Sequence, residues 1–305
     1  VATSSIDAAL RAALRHTQGS RTPPRLRAAL DHAVLGGGRR VRPRLALGVA
    51  QACGNDAPDA AVGVAVAIEM LHCASLVHDD LPCFDDADMR RGRPSVHAAH
   101  GEQLAVLAGD GLIITAFEAL AESCHDRPDL LAPLVRVVAD GVGSKRGIVA
   151  GQAWECEAAV DLRSYHRQKT GALFDAAVAG GAIAGGGDPE AWSELSRILG
   201  EAYQLADDIH DRTGDASRMG KPVGQDAAHG RPNAADALGL SRAAARLARL
   251  LAELPEAVPE CPGRAKLQAA IRELSAELSD AFVGEVTQPS VDPGFSTRET
   301  LRLQA

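Results

Sequence analysis

The chain has 305 residues, enough for one large domain or two ordinary ones, and 46% of them are hydrophobic, which excludes global disorder. Aromatic residues make up only 3% and alanine recurs throughout, so helices are favoured over strands. A net charge of −8 argues against nucleic-acid binding, which needs a basic face, but leaves room for a small anionic ligand where positive charge is local. Pro23 and Pro24 suit the first turn of a helix running to about Leu35, closed by Gly36-Gly37-Gly38. Pro43 opens the next helix, and Gly54 follows its end. Asp59 is a candidate cap for a long helix to about Asp80, in which Val64, Ala67, Ile68 and Leu71 recur at spacings of three and four. Further helical patterns cover roughly 102–123, 129–142, 148–159, 162–184, 189–211, 240–254 and 264–283. Residues 212–233 are rich in Gly, Pro and Asp and read as a loop, and the tail 288–305 lacks strong periodicity and reads as a mobile end. No linker separates two blocks of composition, so residues 1–287 read as one large all-α domain.

The six cysteines include no C-x-x-C pair and no zinc or disulfide spacing, so reduced thiols in a cytoplasmic protein are expected, with Cys73 packing in a helix. No run is expected to reach the ~18 apolar residues of a membrane span. No signal peptide is visible, although the first residue is Val1.

Two acidic clusters stand out. Asp79, Asp80, Asp85, Asp86 and Asp88 follow the apolar stretch 64–77, and Arg90, Arg91 and Arg93 come directly after them. The second is "YQLADDIHDRTGD", with Asp207 and Asp211 four apart and therefore on one helix face. Like charges at that spacing repel, and Asp79 and Asp80 end a helix where negative charge opposes the macrodipole. Two locally disfavoured clusters point to shared divalent cations, and Mg²⁺ commonly bridges protein carboxylates to substrate phosphates. An EF-hand fits poorly: starting the loop at Asp86, Arg90 takes a ligand position and His97 falls where the distal Glu belongs. Basic residues recur beside the acids. "GGGRRVRPRL" sets Arg39, Arg40, Arg42 and Arg44 after a glycine turn, where arginine forks suit phosphate oxygens. Lys169 and Thr170 precede Gly171, and "RMGKPVGQD" offers Lys221 and Asp226.

These motifs, in this order, resemble the trans-isoprenyl diphosphate synthases. Asp79-Asp80-Leu81-Pro82-Cys83-Phe84-Asp85 with Arg90-Arg91-Gly92 is similar to the family's first aspartate-rich motif, and Asp207-Asp208-Ile209-His210-Asp211 to its second. The match covers roughly residues 35–233, and "MLHCASLVHDDLP", "GQAWECE", "KTGALF" and "MGKPVGQD" look closest to bacterial geranylgeranyl diphosphate synthases of carotenoid and bacteriochlorophyll pathways. The resemblance implies antiparallel helices around a deep central cavity, usually as a homodimer. It implies three Mg²⁺ ions, two held by Asp79 and Asp85 beside Asp80 and the third by Asp207, with Asp208 and Asp211 helping through water. Arg90, Lys169 and Lys221 would hold the allylic diphosphate, and Arg39, Arg42, His72 and Arg91 the diphosphate of isopentenyl diphosphate. Thr170 and Gln204 would aim oxygen dipoles near a carbocation. Arg39 stands where the family usually has Lys, Arg231 stands where Lys is common, and the basic tail of some relatives is lacking.

The expected reaction is ionisation, condensation and elimination. A terpene cyclase also ionises with an aspartate-rich motif, but the second motif and second diphosphate site count against it. A non-catalytic partner subunit should have lost metal ligands, and both motifs are intact. His72 lies seven residues before Asp79, about two turns, so the two face the same way. His78 and His97 read as structural, and Trp154 and Glu155 receive no chemistry. For chain length, farnesyl synthases similar to this chain commonly place an aromatic ring at the Ala74 position. Small Ala74 therefore favours a C20 product over C15. Ser75 lies beside it, and Leu71 is the alternative floor.

Overall fold

The structure, a computed structural model, describes residues 3–19, 21–213 and 233–282. Lys221, Arg231 and the tail 288–305 lie outside the described residues. The fold is all-α, as the composition requires. In chain order the helices are α1 (Thr3–Thr17), α2 (Pro24–Leu35), α3 (Val41–Cys53), α4 (Pro58–Asp79), α5 (Val96–His100), α6 (Glu102–Ser123), α7 (Pro128–Val142) and α8 (Ile148–Ala153). They continue with α9 (Leu162–His166), α10 (Ala172–Ala184), α11 (Ser193–Thr213), α12 (Ala234–Leu238), α13 (Leu240–Glu253) and α14 (Arg264–Phe282). A two-residue antiparallel pair, β1 (Met89–Arg90) and β2 (Arg93–Pro94), is the sheet among the described residues.

Several expected boundaries move for local reasons. The helix expected from Pro43 begins at Val41, with Pro43 inside the first turn, where its missing N–H leaves no bond unmade. Asp59 does not cap α4: Ala57 holds that position, Pro58 starts the helix, and Asp59 sits in the first turn, favourably placed for the helix dipole. The stretch expected at 148–159 is helical only to Ala153, then tightens to a 3₁₀ turn at Trp154–Cys156. Helix α1 was not foreseen, although Ile6, Leu10 and Leu14, its buried residues, recur every fourth position.

Two buried clusters hold the helices together. The first joins α1, α2, α4, α6 and α7, and the second joins α3, α11, α13 and α14. Helix α10 contributes to both: Leu173 and Ala177 face the first cluster, Phe174 and Val178 the second. Helix α4 is buried nearly all round, and each fully buried Ile or Leu in it contributes roughly 1.5–3 kcal/mol. It crosses α6 closely, because a Cβ at Gly63 would stand 1.8 Å from Ser123 Oγ and one at Gly109 would stand 2.0 Å from His78 Nε2. The ring of His78 thus fills a notch in α6, the structural role expected for it. His97 is buried with Nε2 3.0 Å from the Ala87 carbonyl, again structural.

One expectation needs correction. Two 22-residue helices, Pro58–Asp79 and Glu102–Ser123, are long and apolar enough to cross a membrane by length and composition. The first is a core helix, 78% of its apolar window being buried inside the protein.

Between α9 and α10 the chain widens into a π-helical segment, Arg167–Gly171. Such widenings concentrate at functional sites, and this one carries Lys169 and Thr170. It packs backbone to backbone on α11: a Cβ at Gly200 would lie 2.7 Å from Gly171 Cα. Gly200→Ala therefore has no flexible side chain to displace. It should destabilise the fold by about 1–3 kcal/mol in urea unfolding. A loss under ~0.5 kcal/mol would show that the segment moves freely.

Candidate active site

The site is built at the C-terminal end of α4. Asp79 is its last residue, and the chain turns back so that the Asp85 N–H donates to the Asp79 carbonyl at 2.9 Å. That turn sets the Asp85 carboxylate near Asp79, where it disfavours the Asp79 charge. Burial, opposed chiefly by Lys169, raises the Asp79 carboxyl to about 6. Lys169 Nζ lies 3.9 Å from Asp79 Oδ1, an oxygen that is buried and has no hydrogen-bond partner.

Asp80 is placed differently. It is buried and bound by Arg90, whose Nε donates to Asp80 Oδ1 at 2.9 Å while Nη2 pairs with the same oxygen. Burial raises its carboxyl and Arg90 opposes the shift. The contact fixes the β1–β2 hairpin over the end of α4. Arg91, at φ +54°, lies across the glycine turn: Nη1 donates to the Gly37 carbonyl at 2.6 Å. A Cβ at Gly38 would stand 2.8 Å from the Arg91 guanidinium carbon, so only glycine admits that approach.

The glycine turn leads to Arg39, which is exposed, and into α3. Arg42 Nη1 lies 3.5 Å from His72 Nε2, and its guanidinium carbon stands 4.4 Å from the Phe174 ring centroid. Burial, reinforced by Arg42 and Arg91, holds His72 well below the usual imidazole range, so it is neutral at pH 7. The face is then strongly cationic. Arg40 is the exception in the run: it is buried and turned into the protein.

Glu155, left without chemistry above, pairs with Lys169 Nζ through Oε1, which also accepts from the Tyr165 hydroxyl at 2.7 Å. Gln152 Nε2 donates to Oε2 at 3.1 Å. The signal for it in the sequence is "GQAWECE", which sets Gln152 and Glu155 one helical turn apart. Trp154 Nε1 donates to Gln168 Oε1 at 2.8 Å and so braces the π segment.

On α11 the two adjacent aspartates diverge. Asp207 is exposed and Asp208 is buried. Asp208 Oδ1 accepts from Gln204 Nε2 at 2.7 Å, and Oδ2 accepts from the Ala234 N–H at 2.7 Å. Gln204 Oε1 accepts in turn from the Thr170 hydroxyl, and His166 Nε2 lies 3.7 Å from Asp208 Oδ2. Thr170 and Gln204, expected together, do meet. Asp211 is half-buried, one turn beyond Asp207.

Among the described residues no three carboxylate, imidazole or thiol groups converge tightly enough to hold a metal ion alone. The donor set nonetheless suits Mg²⁺, which takes few protein oxygens and keeps water and substrate phosphate for the rest. The bare, buried Asp79 Oδ1 beside Asp85 is such an oxygen.

Of the residues expected to set chain length, Ala74 and Leu71 are buried and Ser75 is half-buried, its hydroxyl donating to the His72 carbonyl at 2.8 Å. A cavity of about 300 Å³ between α3 and α14 is lined by Val41, Leu45, Leu267 and Ile271, away from both aspartate clusters.

The polyprenyl synthetase family model matches residues 23–273. The chain is 50% identical over 278 residues to a geranylgeranyl diphosphate synthase of Cereibacter sphaeroides, covering 91% of this chain and 96% of that protein. It is 38% identical over 245 residues to a farnesyl diphosphate synthase of Geobacillus stearothermophilus, covering 77% and 82%. A crystal structure of a geranyltransferase from Helicobacter pylori, complexed with magnesium and isoprenyl diphosphate, superposes with a TM-score of 0.76 at 28% identity, over 90% of this chain and 97% of that one. The all-helical fold agrees with these matches, and the chain belongs to the polyprenyl synthetase family.

Proposed function

We propose that the protein condenses isopentenyl diphosphate with allylic diphosphates to geranylgeranyl diphosphate. One observation carries the reading at the site: a buried carboxylate oxygen with no hydrogen-bond partner, on Asp79, 3.9 Å from Lys169. An acid so placed needs cations, and a diphosphate needs them too. The relative at 50% identity supports the C20 product.

In this reading Asp79, Asp85 and Asp207 would hold three Mg²⁺ ions, whose positive charge would stabilise a departing diphosphate. Asp80 keeps Arg90 beside that diphosphate. Asp208 acts behind the site, orienting Gln204 and anchoring the start of α12. Lys169 exchanges its contact with Glu155 for a diphosphate oxygen. Lys221 and Arg231, which lie outside the described residues, are expected from the sequence to add positive charge for the same diphosphate. Thr170 and Gln204 turn oxygen dipoles toward the allylic cation. Arg39, Arg42, His72 and Arg91 hold the second substrate so that its double bond faces that cation. Released diphosphate accepts the final proton, and the apolar helical wall excludes water that would quench the cation. The enzyme works in the cytoplasm.

A homodimer completes the proposal. Leu107 and Ile114, seven residues apart on one face of α6, are 52% and 60% exposed, an apolar face without cover in the isolated chain. Ile114→Glu should yield a monomer in light scattering; an unchanged dimer would place the interface elsewhere.

Asp79→Ala and Asp207→Ala should each lower turnover by about three orders of magnitude or more while the helical fold survives. Asp208→Ala should instead destabilise the fold by about 1–3 kcal/mol, since it strips partners from Gln204 and the Ala234 N–H. Near-normal turnover in either of the first two would refute the metal assignment. Ala74→Tyr tests the product. If Ala74 borders the path of the growing tail, the variant folds and the main product shortens to C15. If it packs only against the core, the added ring destabilises by ~1–3 kcal/mol and C20 persists. Leu71→Ala should lengthen the product only if Leu71 is the floor.

A further inference from the structure

Arg40 stands in the middle of the arginine run, yet its guanidinium faces inward. It is 3% exposed and Glu69 is 2% exposed. All three of its nitrogens are engaged. Nε donates to Asp7 Oδ1 at 3.0 Å, Nη1 to Glu69 Oε1 at 2.5 Å, and Nη2 to the Val34 carbonyl at 2.6 Å. The partners lie on α1, α4 and α2, and Arg40 itself is the residue before α3. Four helices are therefore tied at one side chain.

Two features show that this knot is maintained against local preference. Arg40 has φ +50°, a left-handed conformation that a non-glycine residue adopts at a cost and keeps only where the surroundings impose it. A buried ion pair is also a poor source of stability, because apolar residues of similar volume often serve as well or better. What the arginine fork supplies that they cannot is direction.

The direction matters at Arg42. Arg42 lies two residues beyond Arg40, in the first turn of α3, and His72 lies three beyond Glu69, on the same side of α4. Arg40–Glu69 and Arg42–His72 are thus two rungs between the start of α3 and the middle of α4. The first rung sets the second, at 3.5 Å. Arg42 Nε is buried without a hydrogen-bond partner, a donor held ready at some expense.

We propose that Arg40 and Glu69 are positioning residues for the isopentenyl diphosphate site: they touch no substrate, and they fix where Arg42 and His72 present their donors. The inference rests on the assignment of Arg39, Arg42 and His72 to that diphosphate.

The test measures KM for each substrate, with Mg²⁺ present, in Arg40→Met/Glu69→Met, Arg40→Lys and Arg42→Ala. The double variant removes both charges together, so it should fold, melting within about 5 °C of wild type. Its KM for isopentenyl diphosphate should rise about tenfold or more, and its KM for the allylic substrate should change less than about twofold. Arg40→Lys keeps the charge but not the fork and should fall between. A folded double variant with wild-type KM for isopentenyl diphosphate overturns the proposal, as does an equal rise for both substrates. Should the double variant not fold, Asp7→Asn decides, because it loosens one arm of the fork at a half-exposed carboxylate. It should raise the isopentenyl KM about two- to threefold and leave the allylic KM alone; no change, or an equal change in both, overturns the proposal. Arg42→Ala separates the two levels. If it leaves the isopentenyl KM unchanged, the site assignment itself is wrong. If it raises that KM and the Arg40 variants do not, only the positioning role fails.

Discussion

A helix buried nearly all round has little solvent to receive its polar residues. Helix α4 is in that position, and it carries Glu69, His72 and Asp79, with Asp80 as its C-cap. Each must find its partner inside the protein, because an uncompensated buried charge is among the most expensive features a fold can keep. The partners come from three separate segments of the chain. Arg40 precedes α3 and meets Glu69; Arg42 opens α3 and meets His72; Arg90 comes from the hairpin and meets Asp80; Lys169 comes from the π segment and approaches Asp79. Satisfying one helix thus draws the basic segments of the chain to a single wall of the site.

The compensation is unequal, and the inequality separates structure from chemistry. Glu69 and Asp80 are buried and each is hydrogen-bonded to an arginine, so they act as anchors. Asp79 is not: one oxygen lacks a hydrogen bond and the nearest cation stands at 3.9 Å. The same division recurs on α11, where Asp208 is buried among Gln204, Ala234 and His166 while Asp207 next to it is exposed. Adjacent residues on a helix point about 100° apart, so one can be committed to the core while the other faces a ligand. On the basic side, Arg40 and Arg42 divide in the same way.

Much of the fold was legible because helical periodicity is a local property. Helix α6 was found at its true ends, and α2, α7 and α14 within a residue of theirs, since proline, glycine and apolar spacing act over a few residues. The misses were of two kinds. Helix α1 shows its signal only in Ile6, Leu10 and Leu14, three apolar positions in a polar stretch. The π segment had no such signal: it widens where Gly171 and Gly200 let two backbones meet, and that contact joins residues far apart in the chain.

For the site, the sequence alone determined the inventory. Two aspartate clusters, a glycine-arginine turn, a lysine-threonine pair and their order are sufficient to name a family, because the chemistry of metals and diphosphates demands those side chains in number. It could not determine which member of each cluster faces the ligand. Arg40 reads like Arg39 and Arg42, Asp80 like Asp79, Asp208 like Asp207, and Glu155 like any surface acid. Only packing assigns them, since a side chain's role depends on which partner lies across from it, and those partners, Glu69, Arg90, the Ala234 N–H and Lys169, are between 10 and 29 residues away along the chain.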